Sequence, residues 1–364
     1  MKPRLKKLKK LLQQESLDAA IISSIPNIIY LTDFAHFSSE EREAFLLITG
    51  GNNYLFTDRR YIYAAQKHVK DFTICEIGQD NHLEDWIKKI AKKEIINRLG
   101  IEENNITIAE YKKIASAVTR TKHYDLHALR MIKSQQEIAA IKKACAITDQ
   151  AFEHIVEQIQ IGMTEKEVAL LLEMFIKKHH AELSFNTIVA FAENGAYIHH
   201  KTGDKKLTAN SPILIDFGVR FQNYCSDMSR TFFFGKATNE QKDAYQTVLA
   251  SQEKAIEFIQ KKLAKKEVIN LSEVDLIARD YMVKKKYDSL PHALGHGIGL
   301  EVHESPRLSP ASEDMITDGM VFSIEPGIYN LNKFGIRIED IFAVEEHKLV
   351  QLTNSSRALL EIHN

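Results

Sequence analysis

The chain of 364 residues is long enough for two domains, each with its own buried core. Hydrophobic residues make up 44% and charged residues 27%, and the formal net charge is −1, so nothing global favours nucleic acid or an acidic membrane as a partner. No apolar run approaches the roughly 18 residues of a membrane span.

The basic stretch Met1 to Gln14 has leucines at 5, 8, 11 and 12. It lacks the apolar core and cleavage site of a secretory signal. An amphipathic first helix with lysines facing solvent is expected, in preference to a membrane-surface or targeting segment. The spacing predicts a helix over Lys6 to Glu15 and a short apolar strand from Ala19 to Ser23. Phe45 to Ile48 and Tyr54 to Phe56 are two more strands, and Gly50-Gly51-Asn52-Asn53 between them signals a hairpin. Composition predicts helices over Arg60 to Val69, His82 to Lys93 and Tyr111 to Ala117, and a strand at Ile106 to Ala109. Together these make an α/β domain. His127 to Ser134 then leads without a flexible linker into a long helix, Gln135 to Glu157, with Ile138, Ile141, Cys145 and Thr148 on one side. The boundary is expected near Leu129, giving domains 1–128 and 129–364.

The second part looks internally duplicated. Thr164-Glu165-Lys166-Glu167 is a capping box opening a helix to about His180, and Ser272-Glu273-Val274-Asp275 is a similar start to a helix ending near Lys286. Each is followed by histidine-rich strands, with Ile198-His199-His200 in one half and His292, His296 and His303 in the other. Each half then has an apolar strand ending in a carboxylate, Ile213 to Asp216 and Met320 to Glu325, and a second strand with another, Asp227 and Glu339. Thr164 to Asp216 is 52 residues and Ser272 to Glu325 is 53; the carboxylates within each half are 11 and 14 apart. Two pseudo-symmetric halves, each giving two carboxylates to a shared site, are expected.

Asp216, Asp227, His296, Glu325 and Glu339 are the candidate metal ligands. Four carboxylates and one imidazole match the charge of two divalent cations, and a carboxylate can bridge two ions. Such a pair points to metal-assisted hydrolysis. Ligands dominated by oxygen favour a hard ion such as Mn²⁺ or Fe²⁺, with Co²⁺ and Zn²⁺ as alternatives. The glycines flanking His296 allow backbone or a ligand to come close. Arg337 and Glu339 alternate with Ile336 and Ile338, so on a strand the charged pair shares one face. Arg337 is then placed to steady a carboxylate or hold an anionic substrate end. Cys75, Cys145 and Cys225 are few, odd in number and without zinc-type spacing, which fits a reducing cytoplasm; Cys225 is expected to pack rather than ligate.

The run His292-Ala-Leu-Gly-His296-Gly-Ile-Gly-Leu-Glu-Val-His303-Glu304, with Ile-Asp216-Phe-Gly, Cys-Ser-Asp227, Glu325-Pro-Gly and Arg337-Ile-Glu339-Asp, resembles the proline-specific metallopeptidases of the pita-bread fold, the Xaa-Pro aminopeptidases and Xaa-Pro dipeptidases (prolidases). Ile28-Ile-Tyr-Leu-Thr32 and Phe56-Thr-Asp58-Arg-Arg-Tyr61 resemble their N-terminal creatinase-type domain. The resemblance implies an α/β (α+β) chain, a creatinase-like domain followed by a pseudo-symmetric pita-bread catalytic domain. It implies that Asp216 chelates one metal, that Asp227 and Glu339 bridge both, and that His296 and Glu325 bind the second. A metal-bridging hydroxide would attack the Xaa-Pro bond of short peptides, with Glu325 shuttling its proton. His199 and His303 would contact the substrate carbonyl, and His292 and Arg337 would sit at the substrate end. His200 competes with its neighbour His199 for that role. A homodimer is also implied. The other readings are a metal-free creatinase-like C–N hydrolase and a non-catalytic binding protein on the same fold. Two positions depart from the pattern: Ala293 and Asp33 stand where glycine is more usual.

Overall fold

A computed structural model describes residues 3–38 and 41–363, so Met1 and Lys2 of the basic N-terminal stretch lie outside the described residues. The chain divides into two compact units, Met1–Arg130 and Met131–Asn364. Among the described residues no helix is long and apolar enough to cross a membrane.

The first unit holds helices α1 (Pro3–Gln14), α2 (Ile25–Thr32), α3 (Arg59–His68), α4 (Leu83–Glu94) and α5 (Ile108–Ala115) around six strands. The strands are β1 (Ala19–Ile22), β2 (Ala44–Thr49), β3 (Asn53–Thr57), β4 (Thr73–Glu76), β5 (Arg98–Ile101) and β6 (Arg120–His123), in the order β4-β3-β2-β1-β5-β6. α1 buries Leu5, Leu8 and Leu12, the stripe expected of an amphipathic helix. The Gly50-Gly51 hairpin joins β2 to β3 in antiparallel register. Asp33 ends α2 in the left-handed region, φ 61°, which explains why glycine suits that position. The expectation of a strand at Ile106 to Ala109 is wrong. Thr107 caps α5 there, exchanging hydrogen bonds with Glu110 in a capping box, and the strand of this region is β5. β5 is short and contains Gly100, so it gave little sequence signal.

After the short helix α6 (His127–Met131), the second unit repeats a pattern. Its first half has α7 (Gln135–Gln158), α8 (Glu165–Lys178) and strands β7 (Glu182–Leu183), β8 (Ile188–Phe191), β9 (Ser211–Phe217), β10 (Val219–Phe221), β11 (Tyr224–Cys225) and β12 (Met228–Phe234). Its second half has α9 (Asn239–Ala264), α10 (Leu271–Lys284) and strands β13 (Gly295–Gly297), β14 (Glu304–Leu308), β15 (Val321–Ile324), β16 (Gly327–Asn330), β17 (Phe334–Arg337), β18 (Asp340–Glu345), β19 (Lys348–Gln351) and β20 (Glu361–Ile362). The long helices have 24 and 26 residues and the shorter ones 14 each. One sheet runs β20-β12-β9-β8 and another β14-β13-β15-β18-β19, beside the smaller sheets β11-β10-β7 and β16-β17. Phe152, Val168 and Leu172 pack on Ile213, Ile215 and Phe232 in the first half. Tyr245, Val274 and Met282 pack with Phe322, Ile324 and Phe342 in the second.

Three local expectations need correction. Ile198 to His200 is a turn, not a strand, because Ala192–Ala196 winds into a 3₁₀ helix and His200 is drawn onto Glu165. α10 is capped by Asn270, whose side chain accepts from the Ser272 amide, so Ser272 is not its cap. Asp275 is fully buried, pairs with Arg279 and accepts from the Leu294 amide. His292 and His303 lie in loops flanking β13 and β14 rather than on strands.

The halves are joined by a buried ion pair. Arg230 on β12 reaches Asp340 on β18, and also donates to the carbonyls of Glu339 and Ser355. Thr353 and Gln252 complete the Asp340 carboxylate. Asp340→Ala would leave the guanidinium buried and unpaired and should cost about 3–5 kcal/mol, read by chemical denaturation; a cost below about 1 kcal/mol would mean that water reaches Arg230 and the pair is not a structural tie.

Candidate metal centre

Each half presents its carboxylates where two antiparallel strands meet. Asp216 lies near the end of β9, opposite Ser229 of β12, and Asp227 immediately precedes β12. Glu325 follows β15 and Glu339 precedes β18, its antiparallel partner. Asp227 and Glu339 are therefore in the turns entering the second strands, not on them. His296 is the middle residue of β13. Gly295 lets β13 approach β15: a Cβ there would lie 1.9 Å from the Ser323 carbonyl oxygen. The Ser323 hydroxyl accepts from the His296 amide and lies 3.4 Å from Glu325.

Donor atoms of Asp216, Asp227 and Glu339 lie within 4.8 Å of one another, as do those of His296, Glu325 and Glu339. Glu339 is common to both sets. A third set, Asp227, His296 and His303, overlaps them. One oxygen each of Asp216, Asp227 and Glu339 is buried without a hydrogen-bond partner. Unpaired buried carboxylate oxygens are costly unless a cation supplies the missing charge. The residues present thus fit two adjacent divalent ions. Cys225 is buried with its sulfur toward the Leu300 carbonyl and joins none of these sets.

The second oxygens of Asp216 and Glu339 are tied down by this chain's own side chains. Arg337 donates through Nη2 to Asp216 (2.6 Å), through Nε to Ser229 Oγ (2.7 Å) and through Nη1 to the Tyr329 hydroxyl (3.1 Å). Ser229 Oγ in turn donates to Glu339 (2.8 Å). The Tyr329 hydroxyl, having accepted from Arg337, donates to His292 Nε2, which leaves Nδ1–H of His292 for the Ala293 carbonyl. Arg337 is 3% exposed, and all three of these nitrogens are occupied. Of its two expected roles, this geometry serves the steadying of a carboxylate. Sequence reasoning missed Ser229 and Tyr329. Ser229 was findable, lying two residues beyond Asp227 and so on the same strand face; Tyr329 carried no signal.

Burial and mutual repulsion shift the titrations. Burial, then the charges of Glu339 and Asp216, pushes Asp227 well above the usual carboxylate range. Burial, then Glu325 and Asp216, does the same to Glu339. Burial raises Asp216 despite the Arg337 charge. Burial opposes charge on His296, but its 3.3 Å contact with Glu325 wins and moves it up to about 9. The same contact overcomes burial and holds Glu325 below its ordinary value.

His303 stacks edge-on against His296 with ring centroids 4.3 Å apart. Desolvation, then the His296 charge, lowers its pKa, and the charge of His199 contributes. His199 is exposed, whereas His200 is hydrogen-bonded to the buried Glu165, so His199 is the one free to face a ligand. Arg307, also missed by sequence reasoning, pairs in register with His296 across β13 and β14 and acts on His303 electrostatically. It is exposed, and makes no hydrogen bond or ion pair among the described residues.

Residues 139–346 match the model of metallopeptidase family M24, and residues 4–132 match that of the creatinase/prolidase N-terminal domain. A Xaa-Pro dipeptidase of Pyrococcus horikoshii is 34% identical over 99% of both chains. Among solved structures, a Xaa-Pro dipeptidase from Bacillus anthracis superposes with a TM-score of 0.91 at 30% identity, covering 99% of both chains. An X-Pro aminopeptidase from Thermotoga maritima superposes at 0.85 with 32% identity, covering 99% of this chain and 100% of that one.

The titrations predict how chelation should act. Asp216, Asp227 and Glu339, raised on folding, stabilise the metal-free protein fully below their unfolded pKa, and that contribution is lost as pH rises through their raised values. His296 behaves alike, losing its contribution as pH passes about 9. Glu325 opposes them only as pH falls through its lowered value. Metal binding needs all of these groups deprotonated. The fall in Tm caused by EDTA should therefore grow steadily between about pH 5 and about pH 8. A fall of equal size across that window would mean that these carboxylates do not hold the ion.

Proposed function

Because this chain belongs to metallopeptidase family M24, with a creatinase/prolidase N-terminal domain ahead of the catalytic one, we propose that it cleaves the Xaa-Pro bond at the N-terminus of short peptides. Residues 1–128 form the N-terminal domain in this reading and 129–364 the catalytic domain. Asp216, Asp227, His296, Glu325 and Glu339 hold two divalent ions. The supporting observation is the convergence of three buried, unpartnered carboxylate oxygens on one place beside His296 and Glu325. A metal-free creatinase-like hydrolase would have to bear that repulsion unaided, and a non-catalytic binding protein has no use for it.

The bound ions supply a nucleophile at neutral pH and Lewis-acid polarisation of the scissile carbonyl. The rest falls to side chains. Arg337 and Ser229 fix the orientation of Asp216 and Glu339. Glu325 takes the proton of the attacking water and returns it to the leaving proline nitrogen. His199 and His303 donate to the carbonyl oxygen as negative charge develops on it. His292, set by Tyr329, lines the proline side. A prolyl amide has no N–H, so recognition cannot use strand pairing and relies on shape and on the chain ends.

Arg307 favours the dipeptidase over the aminopeptidase form of this activity. Its guanidinium is uncommitted and beside His296 and His303, where it can pair with the carboxylate of a C-terminal proline. Manganese is the preferred ion in this reading because oxygen donors dominate the set. A homodimer and a cytoplasmic location complete it, the latter in keeping with three buried, unbridged cysteines.

A Xaa-Pro dipeptide and a Xaa-Pro-Yaa tripeptide should be compared after metal stripping and Mn²⁺ restoration. Metal-dependent cleavage of the dipeptide is expected, with Arg307→Ala raising its KM by about 10- to 100-fold, the worth of a charge-assisted hydrogen bond. Cleavage of the tripeptide alone would make the enzyme an aminopeptidase; no cleavage of either at any metal loading would remove the Xaa-Pro reading.

A further inference from the structure

Glu165 is the first residue of α8, a place where an acidic side chain usually does no more than favour the helix dipole. It is fully buried here, and the helix start is already satisfied by the reciprocal bonds of Thr164 and Glu167. Its carboxylate is spent elsewhere. One oxygen accepts from the Phe191 amide (2.9 Å) and Asn194 Nδ2 (2.7 Å). The other accepts from His200 Nε2 (2.8 Å) and the Gly203 amide (2.9 Å). Four donors on two oxygens is close to the full capacity of a carboxylate.

These donors bracket His199. Phe191 closes β8, Asn194 is in the 3₁₀ helix before His199, and His200 and Gly203 follow it. The backbone bonds Tyr197 N–H to Asn194 and His200 N–H to Tyr197 carry the constraint through the turn. The 3₁₀ helix is fixed on its other side too: a Cβ on Gly335 of β17 would lie 1.7 Å from the Gly195 carbonyl oxygen, so the two backbones touch. β17 ends in Arg337, the residue that holds Asp216. His199 itself makes no hydrogen bond or ion pair among the described residues and is exposed, so its position comes entirely from its flanks.

We propose that Glu165 is a positioning residue for the peptidase reaction, holding the segment 191–203 through Asn194, His200 and Gly203 so that His199 is fixed where the substrate needs it. The inference rests on the reading of His199 as a substrate contact. A glutamine at 165 presents an NH₂ group to two donors that need acceptors, so it must release one side of the loop. A displacement of about 1 Å in such a contact can lower turnover by about 100-fold.

The test is a double-mutant cycle on the metal-loaded full chain, with metal content and Tm measured for every variant. Glu165→Gln is expected to lower kcat/KM by about 10- to 100-fold, with metal content unchanged. In the His199→Ala background the same change should cost less than about 3-fold, because the group it positions is gone. Full multiplicative loss in both backgrounds would overturn the proposal, since Glu165 would then act on the fold at large. If His199→Ala alone leaves kcat/KM unchanged, the substrate-contact reading fails and the proposal with it, a result distinct from additivity. Should Glu165→Gln not fold, the cycle is run with His200→Leu, which removes one donor. His200→Gln, which keeps an N–H near the Nε2 position, should stay within about 3-fold of the parent in either case; equal losses for Leu and Gln would overturn the role of the Glu165–His200 bond.

Discussion

The structure is organised around a repulsion. Four carboxylates and an imidazole are gathered where water is largely excluded, and three of the carboxylate oxygens have no hydrogen bond. A protein interior does not tolerate that arrangement on hydrophobic grounds, and no protein cation neutralises more than part of it. Arg337 touches Asp216 alone among the five, and Ser229 relays a hydrogen bond to Glu339. The remaining charge suits divalent ions, which membership of a metallopeptidase family implies. The raised titrations of Asp227 and Glu339 express the same fact as protons: with no cation present, a proton is the next best partner.

The duplicated architecture explains how the repulsion is held in place. Each half brings a long helix, a 14-residue helix and a pair of antiparallel strands, and each strand pair offers carboxylates at its open end. The supports cross between halves. Arg230 reaches from β12 to Asp340 beside Glu339, and Arg337 reaches from β17 to Asp216 on β9. Each arginine therefore ties one half's ligands to the other half's backbone. The close backbone contact of Gly335 with Gly195 does the same without charge. The ligands lie on, or directly beside, strands that are packed in two separate cores.

The histidines divide by environment. His296 is nearly enclosed and leans on Glu325, His292 is pushed toward its neutral form by burial and is held between Tyr329 and the Ala293 carbonyl, and His199 and His303 are left facing outward. His199 and His200 are adjacent and chemically identical, yet one is consumed by Glu165 and the other is not. Similarly Arg337 and Arg307 are both near the cluster, but one is sealed in with its nitrogens engaged and the other is open. Burial and partner, not residue type, separate the side chains spent on support from those left open.

Much of this was legible in the chain. The capping box at Thr164 starts a helix, the leucines of the first helix turn inward, and the five metal-ligand candidates, each marked by its own short run, fall in one place. Local signals failed where a competing partner, near in the chain or distant, claimed the residue. Thr107 joined a helix cap, Asn270 displaced Ser272, and Ile198 to His200 gave up a strand because Glu165 drew it into a turn. Sequence determined which residues are candidate metal ligands, since residue type and the short run around each one are local properties. Tertiary structure decided which oxygens stay unpaired, which arginine is spent and which histidine is free, because those depend on contacts between residues far apart in the chain: Arg337 and Asp216 are 121 positions apart, Ser229 and Glu339 110, and His200 and Glu165 35.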